Sequence, residues 1–178
     1  ISPLLSQADI DTISEAVRRE RRRIERAKIR AATVNLMDPE FFIHVPLVNS
    51  KEDALAIMCH QLVAAGVVHD NFYDDVLDRE QRSSTAFGGP FAIPHSMFMD
   101  ARRTAIAVLV TDRAVPWGSS SVRLVVLFAL SPDGRQIFRD VLDKLIGLLA
   151  EPLTTSRLLA ASGSYNEFIT TLTDLLQS

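Results

Sequence analysis

The sequence predicts an α/β layered domain over about residues 39–178, preceded by one basic helix within residues 1–38. Two β-branched apolar runs, TAIAVLVT and SVRLVVLFAL, have the composition of strands buried on both faces. Segments with helical spacing lie on either side of them, which gives strands mixed with helices on the scale of one domain. Turn and cap signals punctuate the whole: Asp38-Pro39, Gly66, Gly88-Gly89 and Pro116-Trp117-Gly118. There is no internal repeat and no low-complexity segment.

The first helix runs over 6–34. Ser6 with Asp9 resembles a capping box, and Ile10, Ile13, Val17, Ile24, Ala27 and Ala31 follow a 3–4 spacing broken by Glu20. That stripe is too narrow for a core of its own, so the helix must dock on something or connect two domains. Its cluster RRERRRIERAKIR reads as the solvated face of a helical linker rather than as an RNA-binding or acid-binding surface. Asp38-Pro39 ends it, and FFIHVPLV is a strand candidate. A helix over 50–66 follows, capped by Ser50 with Asp53, buried on Ala54, Leu55, Met58, Leu62 and Val63, and closed by Gly66. The next helix, 71–81, delivers Arg79 near its end. A glycine turn and a strand at 91–93 come next, then the two long strands joined by a turn at Pro116-Trp117-Gly118. Helices at 136–150, 155–161 and from Ser164 to Leu176 complete the chain.

Of the 178 residues, 47% are hydrophobic and 23% charged, ordinary values for a globular domain. No apolar run approaches the roughly 18 residues needed to span a bilayer, and no signal-peptide pattern opens the chain. A start at Ile1 is expected of a piece of something longer. The single cysteine, Cys59, excludes an internal disulfide and fits a reducing, cytoplasmic setting. Residues 1–35 carry eight basic and five acidic side chains, whereas the remainder carries eleven and seventeen. The globular part is thus mildly acidic, which argues against nucleic acid as its main partner.

The stretch REQRSSTAFGGPFAIPH, residues 79–95, concentrates the chemistry. Pro94 ends a strand and stiffens the backbone before His95. The glycine pair permits a turn that folds Arg79 and Thr85 back beside that histidine. One imidazole nucleophile, one guanidinium and one or two hydroxyls make a site suited to a phosphoryl group. On spacing alone, His95 is either functional or a strand-end histidine that merely finishes a turn. His44, His60 and His69 read as structural or surface residues. Cys59-His60 is a poor metal pair, because adjacent helical residues point about 100° apart, so no metal is expected. No G-x-S-x-G elbow, P-loop or G-x-G-x-x-G occurs, which leaves hydrolase and nucleotide chemistry without support.

From about Phe41 to Leu176 the chain resembles the fructose/mannitol-type enzyme IIA domain of the bacterial phosphoenolpyruvate:sugar phosphotransferase system. The best match is VLDREQRSSTAFGGPFAIPH; AVPW, VRLVVLFAL and YNEFITTL match the family's tail. The resemblance implies a mixed β-sheet flanked by helices, with the active histidine at the sheet's end. It implies that His95 accepts a phosphoryl group from the carrier HPr and passes it to a cysteine of a IIB domain. Arg79 would be the phosphate clamp, and Ser84 and Thr85 phosphate or structural hydroxyls. No cofactor is implied, because so loose a transfer needs only positioning and charge. Phe91, Met97 and Phe98 would form an apolar docking rim, or belong to the core.

One departure stands out. Many family members carry a second histidine in the helix after the last strand, where this chain has Phe138. A phenylalanine cannot donate to a phosphate, but it can close the site as an apolar lid. The opening ISPLLSQADIDTI also resembles the last strand and helix of the IIB-like domain in transcriptional regulators that carry phosphotransferase-system regulation domains. On that resemblance, residues 1–38 are the tail of a IIB-like domain and residues 39–178 a regulatory IIA-like module. A homodimer through the full-length protein is compatible with it. The competing expectations are a IIA component of a sugar permease and a degenerate domain never phosphorylated.

Overall fold

Alternate residues of the two long apolar runs face opposite ways, and each set has its own layer of helices. This is the period of two of an extended strand, hidden in the sequence because both faces are buried. The computed structural model describes residues 4–177. Its elements are α1 (Gln7–Leu36), β1 (Phe42–Val45), α2 (Lys51–Ala64), α3 (Phe72–Arg82), β2 (Phe91–Ala92), β3 (Ala105–Trp117), β4 (Ser120–Ala129), α4 (Arg135–Leu149), α5 (Pro152–Ala160) and α6 (Tyr165–Gln177). The strands form one sheet in the order β1-β3-β4-β2. β1 runs parallel to β3, β3 antiparallel to β4, and β4 parallel to β2, so the sheet is mixed.

Ala107, Leu109, Val125 and Leu127 point into a core shared with Leu55, Met58 and Leu62 of α2 and Phe72 and Val76 of α3. Ile106, Val108, Val126 and Phe128 point the other way, toward Val141, Leu145, Phe168 and Leu172 of α4 and α6. The mixed sheet with helices on both faces is the architecture that the resemblance implies.

Two local expectations need correction. FFIHVPLV is strand only at Phe42–Val45; Phe41 closes a single 3-10 turn begun by Pro39 and is buried. The turn between β3 and β4 is not Pro116-Trp117-Gly118. Residues 116 and 117 pair with Ser121 and Ser120, beyond a register shift between Val110 and Val115, and Gly118 takes the turn at φ +62°. This end of β3 extends past β1, whose pairing stops at Thr111, so no ladder is broken by the missing N–H of Pro116. The expected opening strand falls partly on residues 1–3, outside the described residues.

The first helix has its capping box: Asp9 N–H donates to Ser6 Oγ at 3.2 Å, and Ser6 N–H to Asp9 Oδ2 at 3.0 Å. It docks at its C-terminal end only. Thr33 and Met37 are buried against α4 and α6, and Tyr165 donates its hydroxyl hydrogen to the Met37 carbonyl at 2.7 Å. Ile10, Ile13, Val17 and Ile24 are exposed, so the apolar stripe read in the sequence is not the docked face.

Candidate functional site

His95 follows β2, at the edge of the sheet, where it bridges to Phe128. Phe91 and Ile93 point into the α4/α6 side, and the same alternation turns the imidazole that way. Nδ1 lies 3.1 Å from the carbonyl oxygen of Ile93. A carbonyl only accepts, so Nδ1 carries the hydrogen and, in the neutral ring, Nε2 keeps its lone pair. Burial pushes the imidazole pKa below its ordinary 6.5, and the nearby Arg79 guanidinium pushes the same way; the Ile93 carbonyl and the charge of Glu80 oppose the shift. The half-buried imidazole is thereby biased toward its neutral form, in which Nε2 is the nitrogen that carries the lone pair.

Arg79 is near the end of α3, half-buried, with Nη1 donating to the Ser83 carbonyl at 2.9 Å. Its guanidinium is a lesser cause of the lowered His95 pKa, behind burial. Ser84 is exposed, and its Oγ accepts from Ala86 N–H at 3.2 Å. Thr85 is fully buried, and its hydroxyl donates to Glu80 Oε2 at 2.5 Å. Gly88 takes φ +88°, the backbone freedom expected of the glycine turn; Gly89 does not need it.

Phe138 lies in the first turn of α4, its ring centroid 5.2 Å from that of His95 and 5.1 Å from that of Phe128. Gly134 fixes where that helix starts, because a Cβ there would meet Thr104 Oγ1 at 2.6 Å and the Ser131 carbonyl at 3.1 Å. Phe138 N–H bonds back to the Gly134 carbonyl at 2.9 Å, so the tight approach sets the ring against the imidazole.

Of the expected rim residues, Met97 and Phe98 are exposed, but Phe91 is core at 1% exposure. Strand alternation sends it inward between β2 and α4. Phe87 is exposed instead and stacks on Phe91 with centroids 6.2 Å apart. Cys59 is buried while His60 is exposed, as their helical angle requires, and burial pushes the thiol up to about 12. His44 lies 2.8 Å from Asp112, away from the site.

Glu80 and Trp117 were not singled out from sequence. The Glu80 carboxylate is buried and accepts three hydrogen bonds, from Thr85 N–H at 2.9 Å, the Thr85 hydroxyl, and the Trp117 indole at 2.7 Å. The signal was present: Phe72, Val76 and Glu80 stand at i, i+4 and i+8, which places a carboxylate on the buried face of α3.

Comparison with known proteins bears on this geometry. The family described as "Phosphoenolpyruvate-dependent sugar phosphotransferase system, EIIA 2" matches residues 35–174. A probable licABCH operon regulator of Bacillus subtilis is 26% identical over 118 residues, which is 66% of this chain but only 18% of that protein. The mannitol-specific phosphotransferase enzyme IIA component of Halalkalibacterium halodurans is 33% identical over 115 residues, 62% of this chain and 77% of that protein. The fold is shared with mannitol enzyme IIA of Escherichia coli in its complex with phosphorylated enzyme IIB, at a TM-score of 0.64 and 23% identity, over 79% of this chain and 98% of that one. Among the described residues, no helix is long and apolar enough to cross a membrane.

Proposed function

Because the chain belongs to the EIIA type 2 family of the phosphoenolpyruvate-dependent sugar phosphotransferase system, we propose that His95 accepts a phosphoryl group from phospho-HPr and that the domain is the sugar-responsive module of a transcriptional regulator or antiterminator. The observation that carries the phosphoacceptor role is the Nδ1 contact with the Ile93 carbonyl, which leaves the Nε2 lone pair for attack.

In the transfer, Nε2 forms the new N–P bond while the donor's N–P bond breaks, and the donor ring keeps that electron pair. No proton need move. The positive charge passes from the donor ring to the His95 ring, where the Ile93 carbonyl already faces Nδ1–H. Arg79 would neutralise charge on the equatorial oxygens, and its planar fork suits three phosphoryl oxygens better than an ammonium would. Ser84 is exposed enough to meet the phosphoryl group, whereas Thr85 supports the site through Glu80. Phe87, Met97 and Phe98 offer a small apolar rim for the brief docking of HPr or a IIB-like domain. No metal or cofactor enters, and cytoplasmic HPr implies a cytoplasmic protein. Residues 1–38 would link this domain, 39–178, to a preceding IIB-like one.

The regulator reading is supported by the operon-regulator relative and by Phe138 at the place of the expected second histidine, against the imidazole. The match over most of a mannitol IIA component favours a second reading, a transport IIA that passes the group to a IIB cysteine. Incubation with phosphoenolpyruvate, enzyme I and HPr, followed by intact mass and acid lability, tests the shared step. One acid-labile phosphoryl group, lost in His95→Ala, is expected; an unlabelled protein under conditions that label a transport IIA would refute it. Rapid onward transfer from His95 to a IIB cysteine would move the assignment from regulator to transporter.

A further inference from the structure

We propose that Glu80 is the positioning residue of this site, fixing the imidazole through one line of hydrogen bonds and the guanidinium through its place beside Arg79 on α3. The proposal rests on the phosphoacceptor reading of His95 for its kinetic consequence, but not for its geometry. The line begins at Trp117, whose indole N–H donates to Glu80 Oε1 at 2.7 Å. Thr85 closes on the same carboxylate with its N–H and its hydroxyl, at 2.9 and 2.5 Å. The Thr85 carbonyl then accepts from Ile93 N–H at 3.0 Å, and the Ile93 carbonyl accepts from His95 Nδ1 at 3.1 Å. Glu80 also directly follows Arg79 on α3, so the carboxylate that pins the strand side of the site pins the helix end bearing the guanidinium.

The choice of residue is informative. Phe72 and Val76 share the buried face, and an apolar side chain at 80 would pack there without desolvating a carboxylate. A buried polar group with all its partners in place specifies one arrangement in a way that an apolar contact does not. Here three donors on two oxygens allow one path for the 83–86 segment, which also bridges to β2 through Ala86 and Ala92. Glu80 touches neither the phosphoryl group nor the reacting nitrogen. Its action is on the orientation and tautomer of the ring.

Glu80→Met is the test. Methionine keeps the length and bulk of the side chain but offers no oxygen, so the two N–H donors and the Thr85 hydroxyl all lose their acceptor. The readouts are the imidazole 15N spectrum of His95, the kcat and KM for phospho-HPr, and the thermal melt. The expected result is a folded variant with a mixed tautomer and a kcat lower by on the order of 10–100-fold at unchanged KM. A folded variant with the wild-type tautomer and rate overturns the proposal. If Glu80→Met does not fold, Thr85→Val should reproduce the tautomer change and Thr85→Ser should rescue it; a wild-type spectrum in Thr85→Val overturns it equally. Should the wild type take no phosphoryl group, the reading of His95 fails, yet the tautomer comparison still decides the role of Glu80.

Discussion

Phe138→Ala separates burial from charge as the cause of the depressed imidazole pKa. The ring lies with centroids 5.2 Å from His95 and 5.1 Å from Phe128, the latter edge to face. Burial is the largest cause of the His95 shift. Removing the ring admits water, lightens the penalty on the charged form, and moves the pKa up toward its ordinary value. More imidazolium at a given pH means less free Nε2, so the acid limb of labelling should move to higher pH. The linkage sign follows. With the folded pKa below the unfolded one, the unfolded state binds the extra proton between them, and stability rises with pH through that window. Phe138→Ala narrows the window.

The stability cost can be built from two contributions. The aromatic pair is worth about 0.5–1.5 kcal/mol beyond its burial. Half-burying a phenylalanine contributes about half of the roughly 1.5–3 kcal/mol for full burial. The sum, about 1–3 kcal/mol, lowers Tm by roughly 3–10 °C for a domain of this size. NMR titration of the His95 ring between about pH 5 and 8 reads the midpoint, since an imidazole titrates in that range. A midpoint that stayed put or fell would refute burial by Phe138 as the cause and leave the Arg79 charge in its place.

Arg79→Ala should slow labelling of His95 by about 10²–10³-fold while leaving the melt nearly unchanged, and Arg79→Lys should not restore the rate, because an ammonium lacks the planar fork; stopped-flow labelling and calorimetry read both. Gly134→Ala should cost about 1–3 kcal/mol by overpacking against Thr104 Oγ1, which cannot turn away without losing its bonds to Ser131 at 2.9 and 3.1 Å. In a double-mutant melt series, Thr104→Ala should relieve part of that cost, and simple additivity would sink the steric explanation. Deleting residues 1–24 should change stability by no more than about 0.5 kcal/mol because Leu4, Leu5, Ile10, Ile13, Val17 and Ile24 are exposed, whereas Met37→Ala should cost about 2–5 kcal/mol by denaturant melt.

The layered fold was legible because its elements carry local signals that tertiary packing did not overrule. Ser6, Ser50 and Ser164 all cap helices, each accepting from the backbone N–H three residues on. The two long strands could be found but not bounded. Continuous apolar composition hides the period of two, and a register shift carries β3 on through a proline. The exposed stripe of α1 misled for a different reason. A 3–4 spacing marks an amphipathic helix without saying which end has something to pack on.

Around the site, the residues that share one motif were legible and those brought from outside it were not. Arg79, Thr85 and His95 fall within one stretch, where a helix end, a glycine turn and a short strand are enough to fold the segment on itself. Phe138 was placed by resemblance, but its contact with the imidazole depends on Gly134 seating α4 against Thr104. Trp117 reaches Glu80 only because β3 continues past its bulge. Phe91 stays open between rim and core in the sequence because a short edge strand gives too few residues to show its alternation. Its burial on the His95 side nevertheless explains the site's exposure: Phe91 and Ile93 anchor the strand in the core, Pro94 ends it, and His95 is the first side chain on that face beyond the packed layer. An edge strand anchored in this way holds the ring by its inner nitrogen, an arrangement that suits the phosphoacceptor role proposed for it.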